Sequence, residues 1–266
     1  MITSTQNPRI KHLLLLEQKS AQRRKDGLFV VEGRREVKHC LEAGYTLRIV
    51  FVCEELCRES LPPRENVWNG AEVVPVSPNV YERIAYRGGT EGIVAVVEDR
   101  RLTLQDLRLS ASPLIVVLES VEKPGNLGAV LRSADAAGAD AVIVCDPLTD
   151  LYNPNLIRSA IGAVFTVPCV ACSTWECIEF FKHKGISILT AQLQDSLLYY
   201  DTPMTGPTAI VMGTEATGLT EPWRQAADAH IRIPMLGRLD SLNVSVSAAI
   251  LLFEAVRQRQ KQSEEK

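Results

Sequence analysis

The second part of the chain alternates between short apolar runs and helical patterns, and this alternation limits the folds open to it. Strands are predicted at 114–118, 141–144, 164–167, 187–193, 209–212 and 231–233, with helices at 127–137, 155–161, 174–184, 222–227 and 244–260. Strands that alternate with helices predict a parallel sheet covered by helices on both faces. The predicted fold class is therefore α/β, and ligands are expected at the carboxyl ends of the strands.

The first hundred residues predict a smaller α/β domain. A helical pattern with basic residues precedes short strands at 28–31, 47–52, 73–76 and 92–97, and a second helix is predicted at 35–43. A charged stretch follows the last of these strands. We therefore expect a first domain at 1–105 and a second domain at 106–266.

The charge of the chain is unevenly distributed. The net charge is −3, yet residues 1–50 contain ten Lys or Arg and only five Asp or Glu. A basic N-terminal segment on an otherwise acidic chain suggests that a polyanion binds at the N-terminal end. The candidate contacts are Arg9, Lys11, Arg23, Arg24 and Arg34. The alternative is a solvated helix face whose basic residues bind no polyanion.

Seven cysteines in a chain of ordinary composition predict reduced thiols rather than a disulfide framework. Cys169, Cys172 and Cys177 form a loose group, and His183 is the one histidine near them. Zinc sites usually combine tighter cysteine pairs or pairs with histidine partners, so no metal site is predicted. Buried apolar cysteines are the expected alternative.

The chain has no apolar run near the ~20 residues that span a bilayer, and its first residues lack the pattern of a signal peptide. A cytoplasmic protein without membrane contact is expected.

Three motifs follow predicted strands of the second domain. In the first, 119–128, Pro124 and Gly125 provide a turn, Asn126 could cap the following helix, and Arg132 lies on that helix. In the second, 212–219, two glycines flank Glu215, but neither a dinucleotide fingerprint nor a phosphate loop is present. Taken alone, the first is better explained as an ordinary loop with a capped helix and a surface arginine, and the second is a weak signal, since Glu215 could bind a ligand group or be solvated.

The third motif, 231–247, joins a short strand that ends at Pro234 to the final helix. Small hydroxyl and amide side chains alternate with Leu and Val there, where a core would need larger apolar groups. Small polar groups beside free backbone N–H groups suit a ligand with carbonyl, amino or carboxylate groups.

Together the three motifs resemble those of the SpoU/TrmH-type RNA 2′-O-ribose methyltransferases of the SPOUT class. Residues 126–132, 213–219 and 233–247 are similar to the family's three motifs, and the resemblance extends over about 113–260. Residues 1–97 also resemble the substrate-binding domain of that family, although Thr90 and Glu91 stand where many relatives have Pro-Gln.

This resemblance implies a deep trefoil knot, a bent S-adenosyl-L-methionine and a homodimer with the final helix near its interface. It implies cofactor contacts at Gly213, Ile233 and Leu242, and we add Gly218 and Ser245 from the same motifs. The catalytic candidates that it implies are Asn126, Arg132, Glu215, Ser241 and Asn243.

A ribose 2′-hydroxyl is a poor nucleophile at neutral pH, so a protein must orient it and stabilise its loss of a proton. The family proposal makes the arginine the base. We favour an electrostatic role for Arg132 at a substrate phosphate, because a guanidinium stays protonated in proteins. Asn126 would orient Arg132 or the ribose, and Glu215 would hold the loop or the arginine.

The separate N-terminal domain makes ribosomal RNA the expected substrate by analogy with the family. The alternatives are a transfer-RNA 2′-O-methyltransferase and an RNA-binding or ribosome-assembly protein without turnover. A small-molecule enzyme of a doubly wound α/β class is a third alternative, against which the missing nucleotide fingerprints count.

Overall fold

The computed structural model describes residues 1–57, 68, 70–85, 91–214, 217–239 and 241–264. It divides into two compact units, one of Met1–Arg100 with Asp150–Thr166 and one of Arg101–Thr149 with Val167–Lys266. The segment Asp150–Thr166, which the sequence pattern assigned to the second domain, thus belongs to the first unit. None of the described helices combines the length and the hydropathy that a membrane-spanning helix needs.

The helices of the described residues are α1 Pro8–Gln18, α2 Ser20–Asp26, α3 Arg34–Glu42, α4 Pro78–Ile84, α5 Pro124–Ala136, α6 Pro154–Ala160, α7 Ala163–Thr166, α8 Thr174–Lys184, α9 Glu221–Ala226 and α10 Val244–Glu264. The strands are β1 Leu28–Glu32, β2 Leu47–Val52, β3 Glu72–Pro75, β4 Ile93–Glu98, β5 Leu114–Glu119, β6 Ala141–Cys145, β7 Cys169–Cys172, β8 Ser187–Ala191, β9 Leu197–Leu198, β10 Thr208–Met212 and β11 Ala229–Arg232.

The first unit is built on a four-stranded sheet in the order β1-β4-β2-β3, in which only β2 and β3 are parallel. Helices α1 and α4 pack together and bury apolar side chains such as Ile10, Leu13 and Tyr81 against β2, β3 and β4. Their apolar positions recur at helical spacing, so each helix has one face that must be covered.

The segment Asp150–Thr166 contributes α6 and α7 to this unit, where they contact β1 and α3. The rings of Phe29 and Tyr152 stack with centroids 4.1 Å apart, and Phe165 stacks on Phe29 at 6.1 Å. Stacked rings of this kind bury large apolar areas with a specific geometry. The apolar contacts of these aromatic residues therefore hold the segment in the first unit.

The second unit contains a seven-stranded sheet in the order β7-β6-β5-β10-β8-β11-β9, and all its strand pairs are parallel. Helices α8 and α9 pack on one face, where Phe181 and Trp223 are fully buried. Helices α5 and α10 pack together, with α5 on β6 and α10 on β5 and β10. The apolar strands are thus covered on both faces, which confirms the predicted α/β class.

One of the predicted strands differs from the structure. The apolar run 164–167 is not a strand, because α7 occupies Ala163–Thr166 and its side chains pack in the first unit. The strand lies later, at Cys169–Cys172, where it pairs with β6. A run of four apolar residues does not distinguish a buried helical turn from a strand.

Candidate active site

The site is formed where neighbouring parallel strands end. Strands β5, β10, β8 and β11 are adjacent in the sheet, so the loops that follow them start from one edge. The first motif follows β5, the second follows β10 and the third follows β11. Ser120, directly after β5, has a left-handed backbone with φ 51°, which a residue with a side chain rarely adopts.

The second motif folds into a tight loop. Thr214 and Gly218 exchange backbone hydrogen bonds of 3.3 and 3.0 Å, which close the loop on itself. A Cβ at Gly213 would overlap the Gly218 carbonyl and would lie 2.5 Å from the Leu219 nitrogen. The loop therefore requires glycine at 213, and Gly218 itself has φ 68°.

A cavity of about 390 Å³ lies between the second and third motifs. Four of the five predicted cofactor contacts line it, namely Gly213, Gly218, Ile233 and Leu242. Ser245, the fifth, is half-buried and is not among the lining residues. The volume is within the range of about 300–1,000 Å³ that is typical of ligand sites.

A smaller cavity of about 160 Å³ adjoins the first motif and shares Gly213, Thr214 and Val244 with the larger one. Asn126 and Lys123 line it. All three motif loops therefore contribute to two cavities that share part of their walls.

A chain of hydrogen bonds joins the first and third motifs. The Asn243 Nδ2 donates to Asn126 Oδ1 at 3.2 Å. The Ser245 backbone nitrogen and hydroxyl both donate to Asn243 Oδ1, at 3.0 and 2.6 Å. These bonds fix which end of each amide faces its neighbour. Residues 117 positions apart are thereby brought together.

Asn126 does not cap its helix as the sequence pattern suggested. Helix α5 begins three residues earlier than predicted, at Pro124, with Lys123 at the cap position. Proline fits the first helical position because its fixed φ suits the helix and its missing N–H needs no partner there. Asn126 therefore lies in the first turn, and its side chain reaches the third motif.

The other catalytic candidates are placed as follows. Arg132 is exposed on α5, just under two turns beyond Asn126, and Ser241 is exposed and lines the larger cavity. Glu215 lies outside the described residues. The structure therefore brings Asn126 and Asn243 together and places Ser241 at the cavity wall.

Three polar residues of this region are absent from the sequence prediction. Gln192, after β8, and Arg224, on α9, line the larger cavity. Glu119, at the end of β5, is buried and accepts hydrogen bonds from the Thr220 nitrogen and hydroxyl at 2.8 and 2.5 Å. The predicted strand at 187–193 placed Gln192 inside it, whereas β8 ends at Ala191 and leaves Gln192 at the strand end, where ligand-binding residues are expected.

The larger cavity suits a cofactor with amino and carboxylate groups. The Oε1 of Gln192 is buried and accepts no hydrogen bond from the described residues. A buried acceptor without a partner costs free energy that a bound donor would recover. Arg224 adds an exposed guanidinium to the same wall. S-adenosyl-L-methionine carries both an amino donor and a carboxylate, so these residues fit it.

The basic residues predicted to contact a polyanion fall into two groups. Lys11 and Arg24 are exposed, and Arg9 is exposed but paired with Glu72 at 2.6 Å. Arg34 is half-buried at the start of α3.

Arg23 has a structural role instead. It is 4% exposed, its Nε donates to Asp150 Oδ2 at 2.7 Å, and its Nη1 donates to the Leu16 and Glu17 carbonyls. A guanidinium that is buried and hydrogen-bonded in this way inside the first unit is not available to contact a phosphate group.

Comparisons with known proteins agree with this geometry. A model of the SpoU rRNA Methylase family matches residues 113–253, and a model of the MRM3-like substrate binding domain matches residues 7–95. The chain is similar to the 23S rRNA (guanosine(2553)-2′-O)-methyltransferase RlmP of Bacillus subtilis (strain 168), with 27% identity over 95% of this chain and 97% of that protein.

Two solved structures are similar over nearly the whole chain. One is an RNA 2′-O ribose methyltransferase with 41% identity and a TM-score of 0.82, covering 97% of this chain and 99% of that one. The other is an AdoMet-bound rRNA methyltransferase from Sinorhizobium meliloti with 29% identity and a TM-score of 0.87, covering 96% and 97%. The family match extends over more than half of the chain. The predicted resemblance is thus confirmed, and the protein belongs to the SpoU rRNA Methylase family.

Proposed function

We propose that the protein transfers the methyl group of S-adenosyl-L-methionine to the 2′-hydroxyl of a nucleotide in 23S rRNA. The activity is that of an RNA 2′-O-methyltransferase, and the family uses this cofactor. One observation supports the assignment of residues more than any other. The hydrogen bond between Asn126 and Asn243 joins the first and third motifs beside two cavities that share Gly213.

The larger cavity is the proposed cofactor site. Gly213, Ile233 and Leu242 form part of its wall. The unpartnered Oε1 of Gln192 suits an amino group, and the guanidinium of Arg224 suits a carboxylate. When bound, the cofactor supplies an electrophilic methyl group on a sulfonium.

The smaller cavity and the exposed face of α5 are the proposed ribose site. Arg132 would contact the phosphate beside the target ribose and stabilise the charge that develops on the 2′-oxygen. Its guanidinium keeps its proton, so the hydroxyl proton passes to another acceptor. Asn126 would orient the ribose, since Asn243 holds its amide in one direction. Glu215 and Ser241 stay candidates for holding the loops around these groups.

The experiment that tests this assignment replaces Arg132 with alanine. Methyl transfer should fall by about 100- to 1,000-fold, as for the loss of one charge-stabilising donor. Cofactor affinity, measured by calorimetry, should change by less than about twofold, because the group acts on the substrate. Arg108→Ala is the matched control, since Arg108 is an exposed arginine away from the cavities. Transfer near the wild-type rate in Arg132→Ala would contradict the role.

Ribosomal RNA is proposed as the substrate because RlmP, with 27% identity, is a 23S rRNA methyltransferase by name, and because residues 7–95 match a substrate-binding domain. Exposed Lys11 and Arg24 would contact phosphates. Mapping of 2′-O-methyl groups on total RNA, with and without the protein, tests this. A site that depends on the protein in 23S rRNA supports the proposal, and one confined to transfer RNA contradicts it.

A homodimer is proposed from apolar surface near the third motif. Val246 and Phe253 on α10 are 46% and 47% exposed, and Leu236 and Leu239 in the preceding loop are exposed even more. Exposed apolar patches of this kind mark interaction sites. Phe253→Glu should shift the protein from dimer to monomer in light scattering, whereas Leu148→Glu, at another exposed leucine, should not. The trefoil knot implied by the family stays a prediction.

A further inference from the structure

The structure brings together three cysteines that the methyl-transfer proposal does not use. The sulfur atoms of Cys145, Cys172 and Cys177 lie within 4.8 Å of one another. Cys145 and Cys177 are fully buried, and Cys172 is half-buried. Cys169, three residues before Cys172 in β7, lies on the opposite face of that strand by alternation and is not part of this three-cysteine cluster.

Two local features create the cluster. Cys145 and Cys172 are register partners at the ends of the parallel strands β6 and β7. Ser173 and Glu176 form a capping box at the start of α8. That arrangement places the residue before the cap, Cys172, against the fourth residue of the helix, Cys177. The three thiols thus converge through strand register and helix capping. Three apolar side chains at these positions would fit the register and the capping box equally well.

The spacing favours a shared metal ion over a disulfide. A disulfide joins only two sulfurs and would leave the third thiol of the cluster unused, whereas one metal ion can bind all three. Zinc–sulfur bonds of about 2.3 Å in a tetrahedral site place the sulfurs about 3.8 Å apart, which small side-chain rotations can provide here.

The charges around the cluster also suit a cation. Asp146 follows Cys145 directly, and Glu176 lies one residue before Cys177. The Asp146 carboxylate accepts from the Thr174 nitrogen and the Glu176 carboxylate from the Ser173 nitrogen, so both lie at the start of α8, next to Cys172 in the chain. Three thiolates and nearby carboxylates attract a divalent ion, and soft sulfur ligands select zinc over hard cations.

We propose that Cys145, Cys172 and Cys177 form a binding site for a thiophilic metal ion, with zinc as its typical occupant. The half-buried side of Cys172 leaves the fourth position to water. Binding releases the remaining thiol protons to solvent. The ion would fix the start of α8, where the Thr174 hydroxyl donates to Glu119 at 3.2 Å. Glu119 in turn accepts from Thr220, directly after the second motif. This proposal does not depend on the methyl-transfer function.

Metal titration of the full-length, reduced protein tests the site. Co²⁺ should bind at one ion per chain with sulfur-to-cobalt charge-transfer absorption, and Zn²⁺ should displace it. Cys172→Ser should weaken binding by at least about 100-fold, more than the loss of an outer-shell partner. Cys169→Ser is the matched control on the same strand and should leave binding unchanged. Absence of the absorption band in wild-type protein, or an equal loss in both variants, would overturn the proposal.

A second measurement uses the wild-type protein and therefore does not depend on the folding of a variant. The alkylation rate of Cys172, mapped by mass spectrometry, should fall at least about tenfold when one equivalent of Zn²⁺ is added, because a bound thiolate is no longer a free nucleophile. Cys169 should react at the same rate with and without Zn²⁺. An alkylation rate of Cys172 that Zn²⁺ does not change, or the conversion of Cys172 to a disulfide in the presence of Zn²⁺, would contradict a metal site.

Discussion

The two units of the chain use their polar residues in different ways. In the second unit, irregular backbone and cavity-lining polar groups lie where parallel strands end, as Ser120, Gly213 and Gln192 show. In the first unit, Arg23 and Glu17 are buried inside the fold. Residue type alone therefore does not separate a binding group from a structural one, whereas position at a strand end or burial between helices does.

The largest expected effect concerns the buried charge of the first unit. Arg23→Ala leaves Asp150 and two carbonyls without their donor, and should lower the free energy of unfolding by about 3–5 kcal/mol. Arg24→Ala, at the exposed neighbour, should change it by less than about 0.5 kcal/mol. Urea unfolding followed by circular dichroism measures both. Equal effects would show that Arg23 is no more structural than Arg24.

Glu17 sharpens the same contrast through pH. Burial, together with the nearby charge of Glu32, raises the pKa of the Glu17 carboxyl from 4.5 to about 8. The folded state therefore holds a proton that the unfolded state loses, and stability is lost as the pH rises from 4.5 through 8. Glu17→Gln should remove this loss and should be more stable than wild type above pH 8.

The measurement is the difference in unfolding free energy between Glu17→Gln and wild type at several pH values. Glu179→Gln, at an exposed glutamate of α8, is the control and should give a flat difference. A flat difference for Glu17→Gln as well would show that this carboxyl is not held protonated by the fold.

In the second unit, the tight loop of the second motif offers the sharpest test. Gly213→Ala forces a Cβ against the Gly218 carbonyl, so the loop must move. A displacement of this size should reduce methyl transfer by about 100-fold. Gly237→Ala, in the third motif, meets no neighbouring atom within 4 Å and should keep near-wild-type activity. Comparable activity in both variants would contradict the role of the loop.

The smallest expected effect lies on the exposed basic surface. Lys11→Ala should weaken RNA binding and reduce the slope of log affinity against log salt by about 0.7–0.9, the contribution of one phosphate contact. Lys184→Ala removes an exposed lysine of the second unit and serves as the control. Filter binding at several salt concentrations measures both. An unchanged slope for Lys11→Ala would remove it from the proposed RNA surface.

Much of the second unit could be predicted from the sequence because its strands are apolar, β-branched and separated by helices. The cofactor contacts at Gly213, Ile233 and Leu242 were implied by the resemblance to the family, and all three line one cavity. The strand predicted at 164–167 was wrong, since local pattern cannot show that α7 packs in the other unit.

Other features depend on contacts between residues far apart in sequence. Arg23 reads as one member of a basic cluster, and only its pairing with Asp150, 127 residues away, shows that it is buried. Cys145 joins Cys172 through the register of β6 and β7, which spacing does not encode. Neither contact can be predicted from residues that are neighbours in the sequence.

The place of Asp150–Thr166 in the first unit has a practical consequence for dividing the protein. The chain passes between the units three times, at 100/101, 149/150 and 166/167. A truncation that begins near residue 101 would still carry Tyr152 and Phe165, stripped of the Phe29 ring they stack against. Such a fragment would expose apolar side chains and aggregate, whatever the state of its catalytic site. A clean excision must also replace 150–166 with a short polar linker.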